Sequence, residues 1–372
     1  MSRNTQKALI QIVFFLFFLY LFFVSIELMS SAFRLMGKKF AENLMSTTAN
    51  PIVGLFIGIV TTSVVQSSSS TTSILVGLVA GGMMPIRNAI PILMGANIGT
   101  TVTNTIVSLG SISRQNEFSK AMSGAILHDF FNLFAVLIFF PLEWATRFIE
   151  RSAIFLSNTF GHIGGFAFIS PLKAVVKPAA DGILSLIQLC IKAPVWLVAM
   201  ITLTVALALL FLALKNIVTL MKRLIIGRVE GLMHQYLFNS PARSFLLGAL
   251  LTATVQSSSA TTSIMVPIVG AGIISLNQIF PYVMGANIGT TITAILASLV
   301  TRSPAAVTVA FAHLCFNIAA TLVFYPLRII PIKGSEIFGR FMARQRMMSV
   351  FYIVLFFFLI PLLIIVLMKG GF

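Results

Sequence analysis

The chain has 372 residues, of which 58% are hydrophobic and only 9% charged, and 25 Lys+Arg against 9 Asp+Glu give a net charge of +16. A soluble domain carries about 25% charged residues, so this composition excludes an ordinary water-soluble fold. The basic residues lie in short loops with no aromatic-interleaved stripe, which argues against nucleic acid and for the positive-inside bias of membrane proteins.

Cys190 and Cys315 are the only cysteines, at no metal-ligand spacing, so neither a transition-metal site nor a disulfide framework is expected. No phosphate-cradling Gly-Lys motif or other sign of an organic cofactor is present. Long apolar runs without two-residue alternation exclude a β-barrel. The fold class expected is an all-α polytopic membrane protein.

Residues 8–33 are the first membrane helix, too long for a cleavable signal and followed by no small-residue cleavage site. They belong to an N-terminal segment, 1–47. Residues 48–142 and 243–327 are two copies of one unit. Gln66 recurs as Gln256, and at the same offset GANIGTTVT (95–103) recurs as GANIGTTIT (285–293). HDFFN (128–132) then matches HLCFN (313–317), and Pro141 matches Pro326. The loop at Ser111–Lys120 is longer in the first copy.

Each copy opens on a break. Residues 51–65 make about 22 Å of helix at ~1.5 Å per residue, short of the ~30 Å hydrocarbon core. The hydroxyl run Ser67–Ser73 follows, then a second apolar stretch ending at Gly81-Gly82. The pattern predicts a re-entrant helical hairpin turning at QSSS. Residues 244–276 repeat it. Helices are expected at 88–109 and 120–141, then an external loop at 143–182 with an interfacial helix near 154–168. A connecting helix at 185–213 and a basic cytoplasmic loop lead to residue 242. Helices at 278–300 and 304–327 complete the second copy. The last segment, 328–372, is read as a basic loop with a final helix at 347–368.

With the N-terminus cytoplasmic, the two most basic loops are cytoplasmic. One carries Lys215, Lys222, Arg223, Arg228 and Arg243; the other carries Arg328, Lys333, Arg340, Arg344 and Arg346. Arg34, Lys38 and Lys39 fall outside, against the rule. Three crossings separate the hairpins, so the copies face opposite ways. Inverted repeats with broken helices, plus peripheral helices, are a secondary-transporter architecture.

Half-helices ending inside a membrane present N–H groups that suit anions and carbonyls that suit Na+. No Lys or Arg lies in either motif, so an anion there depends on co-bound cations. QSSSSTTS and QSSSATTS, each followed by GANIGTT, resemble the type II sodium-phosphate cotransporter family, as does HDFFN.

The resemblance implies Na+-coupled import of inorganic phosphate by alternating access, at a site shared by the two hairpins. It implies phosphate contacts from Gln66, Ser67, Ser68, Ser69, Ser257, Ser258 and Ser259. It implies sodium contacts from Gln66, Ser70, Asn97, Thr100, Gln256, Ser257, Asn287, Thr290 and Thr291. Ala260 stands where the first copy has a fourth serine, so the two loops are not equivalent. The compact chain is similar to a bacterial member, which places it in a cell inner membrane, and a homodimer is compatible with this.

Each motif also has a packing role to weigh. Ser/Thr runs and the GxxxG patterns Gly95–Gly99 and Gly285–Gly289 serve close helix approach; for the glycines packing and ion ligation stay open. His128, His313, Asn132 and Asn317 are read as hydrogen-bonded packing residues, and Glu27 as a snorkelling group. Asp129 is the acidic residue within the membrane parts of the copies, and its counterpart is Leu314. An intramembrane carboxylate is functional by default, so Asp129 joins the sodium candidates. Sulfate, a small carboxylate, or a passive anion channel are the alternatives on the same architecture; nothing supports an enzyme.

Overall fold

The computed structural model describes residues 3–162, 170–191, 193–221, 238, 240–301 and 303–370. Among the described residues every regular element is helical. In chain order these are α1 (Arg3–Thr48), α2 (Pro51–Val65), α3 (Ser68–Ala80), α4 (Ile86–Gly99), α5 (Val102–Ser108), α6 (Gln115–Thr146), α7 (Phe148–His162) and α8 (Ser170–Cys190). Then come α9 (Val195–Met221), α10 (Pro241–Val255), α11 (Ser258–Gly270), α12 (Leu276–Thr301), α13 (Pro304–Phe324), α14 (Ile329–Arg344), α15 (Arg346–Val354) and α16 (Ile360–Gly370).

Seven described helices are long and apolar enough to cross a bilayer: Ile10–Met36, Ile86–Ser111, Gln115–Thr146, Val195–Asn216, Leu276–Thr301, Pro304–Phe324 and Arg346–Met368. They match the expected crossings, and the protein is a multi-pass membrane protein.

The short helices α2 and α3, and α10 and α11, break at the two QSSS turns and touch each other. Asn50 caps α2 by accepting from Ile52 N, with Pro51 in the first turn, where its missing N–H costs nothing. The chain bends 97° between the end of α1 and α2. The second copy also begins its short helix with a proline, Pro241. Each hairpin is riveted by a threonine pair: Thr62 Oγ1 donates to Thr71 Oγ1 at 2.9 Å, and Thr252 and Thr261 hydroxyls meet at 2.7 Å.

The first arm of each hairpin packs on its own GANIGTT helix, α2 on α4 and α10 on α12. The second arms exchange partners: α3 packs on α12 and α13, and α11 on α5 and α6. Glycine makes the first-arm contacts possible. A Cβ at Gly95 would sit 1.9 Å from Leu55 O, and one at Gly58 would sit 2.0 Å from Ile92 O. The second copy repeats this with Gly285 against Phe245 O at 2.0 Å and Gly248 against Tyr282 O at 2.1 Å. The GxxxG motifs therefore serve close backbone approach.

Five features depart from the sequence expectations. Glu27, read as a snorkelling group, is buried inside the bundle. Residues 328–346 are not a loop but the helix α14, which packs on α6. It buries Ile332, Ser335, Gly339, Met342 and Ala343 on one stripe; its frequent charges mask a period near 3.6. The segment 143–182 is mostly helical, as α7 and α8, and residues 185–190 belong to α8 rather than to the connecting membrane helix. The helix placed near 154–168 runs from Phe148 to His162, and 163–168 lie outside the described residues, as do Lys222, Arg223 and Arg228. Finally, the first GANIGTT helix breaks at Thr100–Thr101, whereas the second continues unbroken to Thr301.

The glycine seams give a test. Gly95→Val forces a side chain into the Leu55 carbonyl. It should cost at least the ~1–3 kcal/mol of ordinary overpacking, lowering the thermal midpoint in detergent. Gly110→Ala, where an added Cβ meets nothing within 4 Å, should leave it unchanged.

Candidate functional site

The two QSSS turns have nearly the same backbone. Gln66 (φ 55°, ψ 30°) and Gln256 (φ 57°, ψ 29°) are left-handed, and each donates its N–H to the carbonyl four residues back, Thr62 O and Thr252 O at 2.7 Å. A non-glycine residue in this region is uncommon, so the repeated strain marks both turns as built features. Ser67 and Ser257 are extended and act as N-caps, accepting from Ser70 N and Ala260 N at 3.2 Å. Ser70 Oγ adds a 2.9 Å bond to Ser67 Oγ, which Ala260 has no group to copy.

The turns meet. Ser69 Oγ donates to Gln256 O at 2.9 Å, joining the N-terminal turn of α3 to the last turn of α10. Ser68, Ser69, Ser258 and Ser259 are buried. The first N–H groups of a helix have no intrahelical partner and carry partial positive charge. Two such helix starts, at Ser68 and Ser258, are thus drawn to one place with hydroxyls around them. Gln66 is exposed while Gln256 is buried, and Gln256 Oε1 has no hydrogen-bond partner among the described residues.

Around this centre, the GANIGTT and HxxFN elements interlock across the copies. Asn97 donates from Nδ2 to Asn317 Oδ1 at 2.8 Å, and its Oδ1 lies 3.0 Å from His313 Nε2. The mirror arrangement is also present: Asn287 donates to Asn132 Oδ1 at 2.6 Å, and its Oδ1 lies 2.8 Å from His128 Nε2. Asn132 Nδ2 in turn donates to Asn97 O at 2.7 Å. His128, His313, Asn132 and Asn317 are therefore hydrogen-bonded packing residues, as read from the sequence. Asn97 and Asn287, placed among the sodium candidates, have their amide groups engaged in this network. Thr100, Thr290 and Thr291 direct their hydroxyls to Ala96 O, Ala286 O and Ile288 O.

The symmetry ends at the Asp129 side. Thr262 Oγ1 donates to Asn104 Oδ1 at 3.0 Å, which turns the Asn104 amide nitrogen toward His128 Nδ1 at 3.2 Å. That arrangement fits an imidazole with its proton on Nε2. The second copy has Ala294 where the first has Asn104, and His313 Nδ1 is buried without a partner. Asp129 is buried; its Oδ2 accepts from Thr105 Oγ1 at 3.3 Å and from Tyr352 at 2.9 Å. Its Oδ1 has no hydrogen-bond partner among the described residues. Sequence reasoning missed Asn104, Thr105, Thr262 and Tyr352. The first two stand where the second copy has Ala294 and Ile295, a polar-for-apolar difference between the copies that would have flagged them.

A cavity of about 450 Å³ bordered by Lys120, Gly272, Ser275, Gln278 and Arg340 lies elsewhere, at the start of α6 and the far end of the second hairpin. None of the QSSS residues lines it.

The sequence model described as Na+/Pi-cotransporter matches residues 21–161 and 196–331, both copies together. The chain belongs to the Na+/Pi-cotransporter family. It is 32% identical to the "Sodium-dependent phosphate transport protein 2A" of Ovis aries over 427 residues, covering 95% of this chain and 67% of that protein. It is likewise 32% identical to the 2A protein of Rattus norvegicus, covering 93% of this chain and 66% of that protein. For the 2B protein of Homo sapiens the identity is 32%, covering 93% of this chain and 63% of that protein. The chain thus spans about two thirds of the length of these relatives. No solved structure matches it.

The interlock predicts a stability effect separate from transport. Asn287→Leu strands the buried polar groups of His128 and Asn132, each costing about 1–3 kcal/mol. The thermal midpoint should fall clearly, and a cycle with Asn132→Leu should show coupling of about 1 kcal/mol.

Proposed function

We propose that this cotransporter-family chain imports inorganic phosphate coupled to Na+, binding both between the two Gln-Ser turns and exposing them alternately to the two sides of a bacterial inner membrane. One observation carries the reading: the Ser69–Gln256 bond that brings two helix N-termini together among hydroxyls. That arrangement offers backbone and hydroxyl donors to an oxyanion without a buried Lys or Arg.

In this reading the phosphate oxygens accept from Ser67, Ser68 and Ser69 of one turn and Ser257, Ser258 and Ser259 of the other, with Gln66 at the open edge. Monohydrogen phosphate also carries a proton that needs an acceptor. The unpartnered Gln256 Oε1 is such an acceptor, and sulfate has no proton to give it, so the site favours phosphate.

Na+ takes neutral oxygens and the ends of interrupted helices. Gln66, Gln256 and Ser257 lie where α2 and α10 stop, and Ser70 lies in the first turn of α3. Thr100, Thr290 and Thr291, with the backbone around Asn97 and Asn287, hold the adjoining helices in place. Asp129 supplies a carboxylate whose free Oδ1 suits a further Na+, and a fixed negative charge would change the net charge moved per cycle. The hairpins are taken as re-entrant and oppositely oriented, with the basic segments on the cytoplasmic side. The partner exchange of α3 and α11 supports a two-fold relation between the copies.

The test is uptake of radiolabelled phosphate into proteoliposomes under an inward Na+ gradient or a matched K+ gradient. Accumulation with Na+ alone is expected; equal uptake with both would sink the coupling, and competition by sulfate would sink the selectivity. Gln256→Ala and Ser258→Ala should each lower uptake at least about tenfold, a loss of ~1.4 kcal/mol, in protein that inserts and elutes normally. Wild-type rates from both would remove the turns from the site.

A further inference from the structure

The C-terminal helix lies outside both copies, and the family match ends at residue 331. It nevertheless reaches their polar interior. Tyr352 on α15 donates its hydroxyl to Asp129 Oδ2 at 2.9 Å, across 223 residues of sequence. Thr105 donates to the same oxygen. Both of these donors are on Oδ2, the Thr101 side chain also faces the carboxylate, and Oδ1 is left buried with no hydrogen-bond partner among the described residues. A buried carboxylate oxygen without a donor is unfavourable, and a bound cation would satisfy it.

The donor is rigidly mounted. The Tyr352 ring stacks on Phe356 at 5.3 Å between centroids and meets Phe338 and Phe357 edge-on at 5.2 and 5.8 Å. One turn earlier on the same face, Ser349 is fully buried and its Oγ also lacks a partner. α15 touches α5, the helix of Thr105. Directly after α15 the ladder loosens into a π-helix at Leu355–Leu359, a feature that is rare and frequent at functional sites.

We infer that Tyr352 is a positioning residue for the cation at Asp129. Its hydroxyl holds Oδ2 so that Oδ1 faces the ion, and it ties the C-terminal helix to that site. Without the hydroxyl only the longer Thr105 bond of the two is left on Oδ2, and Oδ1 is held less tightly toward the ion. The inference rests on Asp129 being a Na+ ligand, as proposed above.

Tyr352→Phe removes the hydroxyl and keeps the ring packing. The experiment compares wild type, Tyr352→Phe, Asp129→Asn and the double variant in proteoliposomes. It reads phosphate uptake against Na+ at saturating phosphate, uptake against phosphate at saturating Na+, and the Na+ concentration that raises the thermal midpoint. Tyr352→Phe should shift both Na+ curves roughly tenfold, the loss expected of one hydrogen bond to a charged group. Its phosphate KM and maximal rate at saturating Na+ should stay within about twofold. In the Asp129→Asn background the same change should add nothing, since the effect passes through the carboxylate.

An unmoved Na+ curve in Tyr352→Phe, or an equal further shift on top of Asp129→Asn, would overturn the inference while Asp129 keeps its role. An unmoved curve in Asp129→Asn would remove both, with the Gln-Ser turns judged separately by Gln256→Ala.

Discussion

A helix that stops in an apolar medium leaves backbone groups that nothing in the lipid can satisfy. In the proposed re-entrant arrangement α2, α3, α10 and α11 face that constraint, and their caps at the two QSSS turns answer it. At each QSSS turn the left-handed glutamine closes the first arm onto a threonine carbonyl, and the following serine caps the second arm. The hydroxyl run is the local means of ending one helix and starting another without water. What it leaves over is useful: N–H groups and carbonyls at the meeting point of two hairpins, held there by Ser69 on Gln256 O.

The rest of the core supports that meeting. Glycine seams let α2 and α10 lie against the GANIGTT helices with backbone nearly touching backbone. The second arms pack on the opposite copy, so neither copy holds its own turn in place alone. The Asn97 and Asn287 networks repeat the exchange with side chains. These are neutral hydrogen bonds, and in a low-dielectric interior such networks are strong only when fully satisfied. They specify one register between the copies without placing a fixed cation beside the proposed anion site.

Much of this was legible in the sequence, because duplication turns weak signals into strong ones. A lone QSSS reads as packing; two, each followed by GANIGTT and HxxFN, locate the hairpins, the seven long spans and the resemblance. The long apolar runs placed six of the seven crossings to within about five residues; the connecting helix begins ten residues later than expected, at Val195. The amphipathic helices were harder. In α14 the residues Lys333, Glu336, Arg340 and Arg344 resemble a solvated loop until Ile332, Ser335, Gly339 and Met342 are placed on one face. The direction of a side chain was not legible at all. Asn97 and His313 lie more than two hundred residues apart, and only the exchanged packing brings them within hydrogen-bond reach. Tyr352 belonged to a segment read as peripheral, and nothing near it in the chain pointed to Asp129.

The differences between the copies say more about mechanism than the likeness does. Two equal copies would supply two equal half-sites, with no charge in either. Instead the first copy has Asn104, Thr105 and Asp129 where the second has Ala294, Ile295 and Leu314. The first GANIGTT helix breaks at Thr100–Thr101 beside these residues, and the second stays continuous. Thr262 of the second hairpin then reaches into the polar set of the first copy, and so does Tyr352 from outside both. The likeness brings two neutral, hydroxyl-rich turns together. The divergence gathers one buried carboxylate, its donors and a helix break on a single side of them, which is where the proposed cation would add its charge.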